Sequence, residues 1–450
     1  MRTESDVASF DDKKRALSAA IQASKGEVRL EKDTSNLFRG RNRPQAQRLD
    51  VRAFNEVLNV DPAEGFVDTG GMTTYATLTD ACLAKGVMPC VVPQLKSITI
   101  GGATVGLGIE ASSFRYGLAH ETVEEMEVMT AAGDIVTATP TNEHRDLFFG
   151  MPNSFGTLGY ALRIKARVIP VKPYVELRHI RYSDPVAFFD ALQRFCNDPD
   201  VDFVDGVVFK PGVHYLSLGY FVDAAPYTSD YTYLNIFYRS IMARDTDYLT
   251  THDYIWRWDT DWFWCSRILG AQNPIVRRLL GKERLNSIFY KKIIDWAPGY
   301  GIRKAYRQAL GIHQETIIQD VDVTIDHAPE FLDFFQKNIG LEPLWICPFR
   351  SPDPDRRYSL WPVDPKALYV NFGFWDSKTF REDHPVGYHN RLIERKLAEL
   401  GGIKSLYSDS YFTPEEFWST YNKSAYQEVK RRYDPEGRLS DLYKKCVERA

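Results

Sequence analysis

Long apolar runs are missing from this 450-residue sequence. No stretch approaches the roughly 18 consecutive apolar residues that a membrane-spanning helix needs, so no such helix is expected. The opening residues, Met1 to Asp6, lack the apolar core of a secretory signal, which points to a cytoplasmic protein. Cysteine is sparse and scattered. Cys82, Cys90, Cys196, Cys265, Cys347 and Cys446 never fall in C-x-x-C spacing. That excludes a zinc ribbon or disulfide framework, fits a reducing compartment, and leaves no metal to be expected. Basic charge is not in excess either: 56 Lys+Arg against 60 Asp+Glu leave a net charge of −4. A nucleic-acid partner therefore has no electrostatic basis. There is no internal repeat and no low-complexity segment.

What is present begins with ordinary globular composition, 44% apolar and 26% charged, in a chain long enough for two domains. The most distinctive stretch runs from Thr99 to Gly117. Gly101, Gly102, Gly106 and Gly108 fall within eight residues there, with no helix-period apolar pattern behind them. Glycine lets another surface approach the backbone closely, and successive amides in such a loop form a concavity suited to a pyrophosphate. The spacing fits neither G-x-G-x-x-G nor G-x-x-x-x-G-K-[ST], so a plain Rossmann or P-loop reading fails. A glycine-rich turn cluster between strands is the alternative.

Around this stretch the chain is punctuated regularly. Residues 5–24 read as an amphipathic helix, Glu27 to Leu30 as a strand, and Phe54 to Leu58 as a helix between two strands. Thr77 to Lys85 reads as a helix stopped by Gly86. Glu124 to Val136 reads as a hairpin and Ala161 to Ile169 as a strand. Pro170 and Pro173 then mark a boundary. Beyond it come a helix over 185–196, strands at 205–210, 214–222, 319–325, 341–349 and 367–374, and a helix over 329–339. Thr413 before Pro414 and Glu416 signals a capped helix start.

The ordered set over about seventy residues — the Gly101-Gly102 loop, Tyr116-Gly117, the hairpin through Gly133, Asp146-Leu147-Phe148, and Gly156-Thr157-Leu158-Gly159 — resembles the FAD-binding domain of the vanillyl-alcohol-oxidase/PCMH flavoproteins. That resemblance implies an α+β fold: a two-subdomain PCMH-type FAD-binding domain over residues 1–173, an α+β cap over 174–405, and a C-terminal segment, 406–450, returning to the first domain. It also implies cofactor contacts from Ser35, Asn36 and Pro93, and from Thr99, Ile100, Gly101, Gly102, Ala103, Thr104, Val105, Gly106, Leu107, Gly108, Ile109, Glu110, Ala111 and Ser112. Tyr116, Gly117, Gly156, Thr157 and Gly159 complete the implied set. The turn from Lys32 to Asn36 holds neither His nor Cys, which implies non-covalent FAD.

Longer matches extend the resemblance from about residue 30 to 446 and point to the 24-dehydrocholesterol reductase branch. They include Pro343 to Phe349 and Tyr407 to Trp418. This branch implies reduction of an isolated C=C bond in a lipid, a sterol side chain or a methylene-branched acyl chain, with NADPH as a transient reductant. No separate nicotinamide fingerprint is present. Such an alkene needs a protonated acid in a dry pocket. Glu110, Tyr116, His313, Asp320, Tyr407 and Tyr411 are the candidates, with Arg115 as the positive charge beside reduced flavin. An FAD-linked oxidase of a hydroxy acid, sugar or alcohol, and a non-catalytic lipid-binding protein, are the alternatives.

Two further features stand out. Trp256, Trp258, Trp262 and Trp264 lie within nine positions, interrupted by Asp259 and Asp261. Residues 277–307 are basic with interleaved apolar residues, and read either as a peripheral membrane-surface patch or as a solvated basic face.

Overall fold

The computed structural model describes residues 9–35, 37–39, 46–296 and 311–449. Two antiparallel sheets dominate it. The smaller runs in the order Val57–Asp61, Phe66–Gly70, Tyr160–Pro170, Val123–Met129, Ile135–Ala138, with Val87–Pro89 also pairing the long central strand. The larger has eight strands in the order Thr246–Thr250, Tyr174–Tyr182, Val213–Val222, Phe203–Lys210, Leu344–Phe349, Tyr369–Phe380, His313–Thr324, Ile403–Lys404. A short parallel pair, Val28–Glu31 with Gln47–Asp50, precedes both. The molecule is thus an α+β protein.

Alternation along the larger sheet decides which face goes where, since successive strand side chains point to opposite faces. Leu344 and Ile346 pack with Phe188, Phe189, Phe331 and Phe335 of helices Pro185–Cys196 and Ala328–Asn338. Trp345 and Cys347 face the other way, into a core shared with the smaller sheet. The helix over Pro185–Cys196 forms where expected, with Asp184 accepting from the Ala187 amide and proline at the first turn.

Two local expectations are corrected. Phe54 to Leu58 is not helical, because Val57–Asp61 pairs antiparallel with Phe66–Gly70. The glycine stretch is not all loop either. Ile100–Gly106 is helical, capped by Thr99 Oγ1, which accepts from the Gly102 amide at 3.1 Å. Gly101 sits where this helix touches the Gly71 backbone. Its amide donates to Gly71 O at 2.9 Å, and a Cβ there would lie 2.5 Å from that oxygen.

The C-terminal residues close back onto the connection between Ile135–Ala138 and Tyr160–Pro170 of the smaller sheet. Lys430 Nζ donates to Thr157 O at 2.7 Å, Tyr433 Oη to Asp146 at 3.0 Å, and Lys445 Nζ to Phe155 O at 2.8 Å.

Candidate functional site

A cavity of about 550 Å³ lies between the two sheets. The glycine stretch, the turn before it, the tryptophan-rich segment, three strands of the larger sheet and the C-terminal residues all contribute to its walls. Its lining divides by chemistry.

One part is cationic. Arg29, Lys32, Arg39 and Lys445 line it together with Thr34, Ser35, Gly106 and Gly156. Arg39 lies over the Phe155 ring at 4.8 Å, and its Nε and Nη2 are buried without hydrogen-bond partners. Burial, reinforced by Arg39, Lys32 and Arg29, pulls the Lys445 ammonium down to about 7. Like charges gathered this way are costly unless an anion joins them.

The other part is aromatic. Trp262, Phe263, Trp345 and Trp375 wall it, and Phe263 lies 4.6 Å from Trp375 and 5.3 Å from Trp345, centroid to centroid. Trp262, Phe263 and Trp264 follow one another at φ of 46°, 47° and 60°, the left-handed region that non-glycine residues avoid. Each costs on the order of 1–3 kcal/mol. Buried polar anchors hold the segment there: Asp259 accepts from the Lys96 amide at 3.0 Å and Ser287 Oγ at 2.5 Å, and Asp261 pairs with Arg277 at 2.5 Å.

Of the two carboxyl groups that line the cavity, Asp376 is paired with Arg267, whereas Asp320 has no cation beside it among the described residues. Thr316, Ile318 and Asp320 alternate along His313–Thr324 and all line the cavity, while Ile317 and Val321 face the opposite core. Asp320 stands opposite Gly373, which stands opposite Trp345 on the next strand. Gly373 makes the room: a Cβ there would lie 2.8 Å from Asp320 Oδ1 and 2.6 Å from the Trp375 ring. Asp320 Oδ1 has no hydrogen-bond partner, and burial lifts the carboxyl to about 7 against the opposing hydrogen bond from Tyr407. Tyr407 Oη in turn accepts from Trp375 Nε1 at 3.0 Å.

The cofactor contacts expected from the sequence divide as follows. Ser35, Pro93, Thr99, Gly101, Gly102, Ala103, Val105, Gly106, Leu107, Gly108, Ile109, Gly156 and Gly159 line the cavity, as does Tyr407. Ile100 and Thr104, which the short helix turns into the core, do not, nor do the buried Ala111, Ser112 and Thr157. Thr104, Ser112 and Thr157 donate to the carbonyls of Ile100, Cys90 and Ser154. Asn36 lies outside the described residues.

Of the seven catalytic candidates, only Asp320 and Tyr407 line the cavity. Glu110 is buried behind the lining, paired with Arg257. Arg115 points away, its Nη2 donating to the Asp198, Pro199 and Val201 carbonyls at 3.3, 2.9 and 2.7 Å, so it is no partner for a flavin in the cavity. Tyr116 and Gly117 close the helix Ser113–Tyr116 and fall outside the lining. His313 and Tyr411 do not reach the cavity either. Lys445, Arg39, Gln94 and the Trp345/Trp375 pair were not foreseen as site residues. For Lys445 no sequence signal existed, since its place depends on the C-terminal segment returning. Among the described residues no group of three His, Cys, Asp or Glu side chains could hold a metal.

Gln94 tests what the cavity holds. It is buried and lines the wall, yet neither Nε2 nor Oε1 has a partner. An unsatisfied buried amide costs about 1–3 kcal/mol, which a bound polar ligand would offset. Cations for a diphosphate, an open amide for a polar ring edge, and flat aromatic walls form a donor set that fits FAD.

The comparisons agree. A family model described as FAD binding domain matches the chain. Residues 13–139 thus match an FAD-binding domain. Over most of its length the chain is similar to sterol reductases: 27% identical to Delta(24)-sterol reductase of Homo sapiens across 88% of this chain and 77% of that one. Delta(24)-sterol reductase of Arabidopsis thaliana is 24% identical across 88% and 76%. Cytokinin dehydrogenase 7 of Oryza sativa is 29% identical, but over only 32% of this chain and 28% of its own. The similarity to sterol reductases thus includes the larger sheet that carries Asp320, Trp345 and Trp375.

Proposed function

We propose that this protein reduces an isolated C=C bond in a lipid, a sterol side chain or a methylene-branched acyl chain, with NADPH as the reductant. The observation that carries the reading is the divided cavity, a cationic, glycine-edged part continuous with an aromatic part in which the Asp320 carboxyl has no cationic partner. Lys445, Arg39 and the Thr99–Ile109 stretch would hold FAD without a covalent bond. When bound, FAD supplies hydride to one carbon of the alkene.

The protein's own residues supply the rest. Saturating an alkene also requires a proton at the second carbon. Asp320, lifted to about 7 by burial, keeps that proton near neutral pH. Tyr407 fixes the carboxyl, and Trp375 fixes Tyr407. Trp262, Phe263 and Trp345 exclude water and accept an apolar chain. A hydroxy acid would need a basic anchor near the proton-bearing group, and the residues around Asp320 are aromatic instead.

The test is anaerobic. NADPH should bleach the flavin of the FAD-loaded protein, and a Δ24-sterol or a methylene-branched acyl chain should restore its absorption. Restoration by one and not the other names the lipid. Bleaching by small hydroxy acids or alcohols instead would overturn the reading, as would a protein that takes up no FAD.

A further inference from the structure

The residues expected from sequence to form a basic surface are sorted by the structure into a buried anchor and an exposed face. Arg277 is fully buried on Asp261 and belongs to the interior. Around it, helices Pro274–Leu280 and Ser287–Trp296 turn aliphatic side chains to solvent: Ile275 is 65% exposed, Leu279 78% and Ile288 40%. Ile275 and Leu279 are four residues apart and share one helical face, as do Ile288 and Lys292. Arg278, Lys282, Arg284 and Lys292 are exposed beside them, against Glu283 alone among the residues of 274–293, where exposure is described. The 3.9 Å Lys282–Asp230 pair is exposed on both sides and neutralises little.

We propose that this face docks on an anionic lipid surface. The inference rests on the lipid reading of function and says where such a substrate is met. Cations alone would suit any polyanion. Solvent-exposed aliphatic chains between them have no partner on a phosphate backbone, whereas an interface of headgroups and acyl chains accepts both. The underside of the same helices supports the choice. Tyr290 of the second helix and Leu285 between the two pack in one cluster with Trp262, and Phe38, Leu95 and Trp375 pack against that cluster and line the cavity. The docking face therefore lies over residues that wall the aromatic part of the site. No helix among the described residues is long and apolar enough to cross a membrane.

The experiment is co-sedimentation of the FAD-loaded full chain with vesicles of phosphatidylcholine alone and with phosphatidylserine added. The expected result is binding to the mixed vesicles at least tenfold tighter than to phosphatidylcholine alone, weakened by salt. Leu279→Asp and the pair Arg278→Glu with Lys282→Glu should each reduce binding tenfold or more. Their flavin absorption and NADPH bleaching should remain, which shows that they fold. Equal binding by these variants, no preference for the anionic vesicles, or retention on an RNA oligonucleotide with none on vesicles would overturn the proposal. Flavin bleaching and reoxidation by a detergent-dispersed alkene in the same preparation would then leave the proposed reaction standing.

Discussion

Arg257 Nη2 donates to Glu110 Oε1 at 3.1 Å, in a contact from which water is almost wholly excluded on both sides. The same nitrogen donates to Asp205 at 3.0 Å, and Asp205 also accepts from Trp345 Nε1 at 3.1 Å. One guanidinium thus joins the end of the glycine stretch to a strand of the larger sheet and to a wall of the cavity. Two carboxylates compete for it, and burial lifts Glu110 to about 7.

Removing the shared cation should cost far more than removing one of its partners. Arg257→Met strands two buried carboxylates, and a loss of about 3–5 kcal/mol is expected. Glu110→Gln keeps the shape and a hydrogen bond, so its loss should stay within about 1–2 kcal/mol. Urea denaturation of the two variants, followed by circular dichroism, gives the comparison. Equal losses would show that Glu110 carries the bridge by itself.

Lys445 links cofactor binding to pH. An amine held down to about 7 is largely neutral at pH 8, and a diphosphate placed beside it favours the charged form. FAD binding at pH 8 should therefore take up a proton, and affinity should fall as pH rises above 7. Titration calorimetry in buffers of different ionisation enthalpy measures that uptake. Lys445→Gln should abolish it and weaken FAD about 10-fold or more, the worth of one charge-assisted hydrogen bond. For the unliganded protein the sign is also set. The folded state binds fewer protons than the unfolded one between pH 7 and about 10.5, so Lys445 makes stability rise with pH across that window.

Gly373 offers a steric test that leaves charge untouched. A methyl group there would press on Asp320 Oδ1 and the Trp375 ring at once. Gly373→Ala should retain FAD and its bleaching by NADPH, because the cationic part of the cavity is not involved. Reoxidation by the alkene should slow at least tenfold. Slowing of both half-reactions would show that the disturbance is not confined to the aromatic part.

What the sequence revealed depended on how local the cause was. The helix over 185–196 and the capping box at Thr413–Glu416 were legible because cap, proline and apolar period lie within one turn of each other. Phe54 to Leu58 was misread because its conformation follows from pairing with Phe66–Gly70. The charge run at 277–307 could not reveal that Arg277 turns inward to Asp261, since composition carries no direction. Its residues 297–307 lie outside the described residues. Asp320 was visible as an acid on a strand. That it shares a row with Gly373 and Trp345 is a fact of register across three strands.

That row makes the last prediction the most direct. If Asp320 delivers the proton, reduction requires its acid form, and the alkene half-reaction should fall as pH rises through about 7. Asp320→Asn should lower that step about 10²–10⁴-fold while FAD binding and bleaching by NADPH persist. Tyr407→Phe separates position from acidity. Its hydrogen bond favours the carboxylate, so its removal should raise the Asp320 pKa and carry the alkaline limb to higher pH. The rate at neutral pH would then fall only as far as the carboxyl loses its orientation. Rapid-mixing measurement of flavin reoxidation from pH 5.5 to 9 reads both effects. A limb that stays in place in Tyr407→Phe, or survives in Asp320→Asn, would assign the proton to another group.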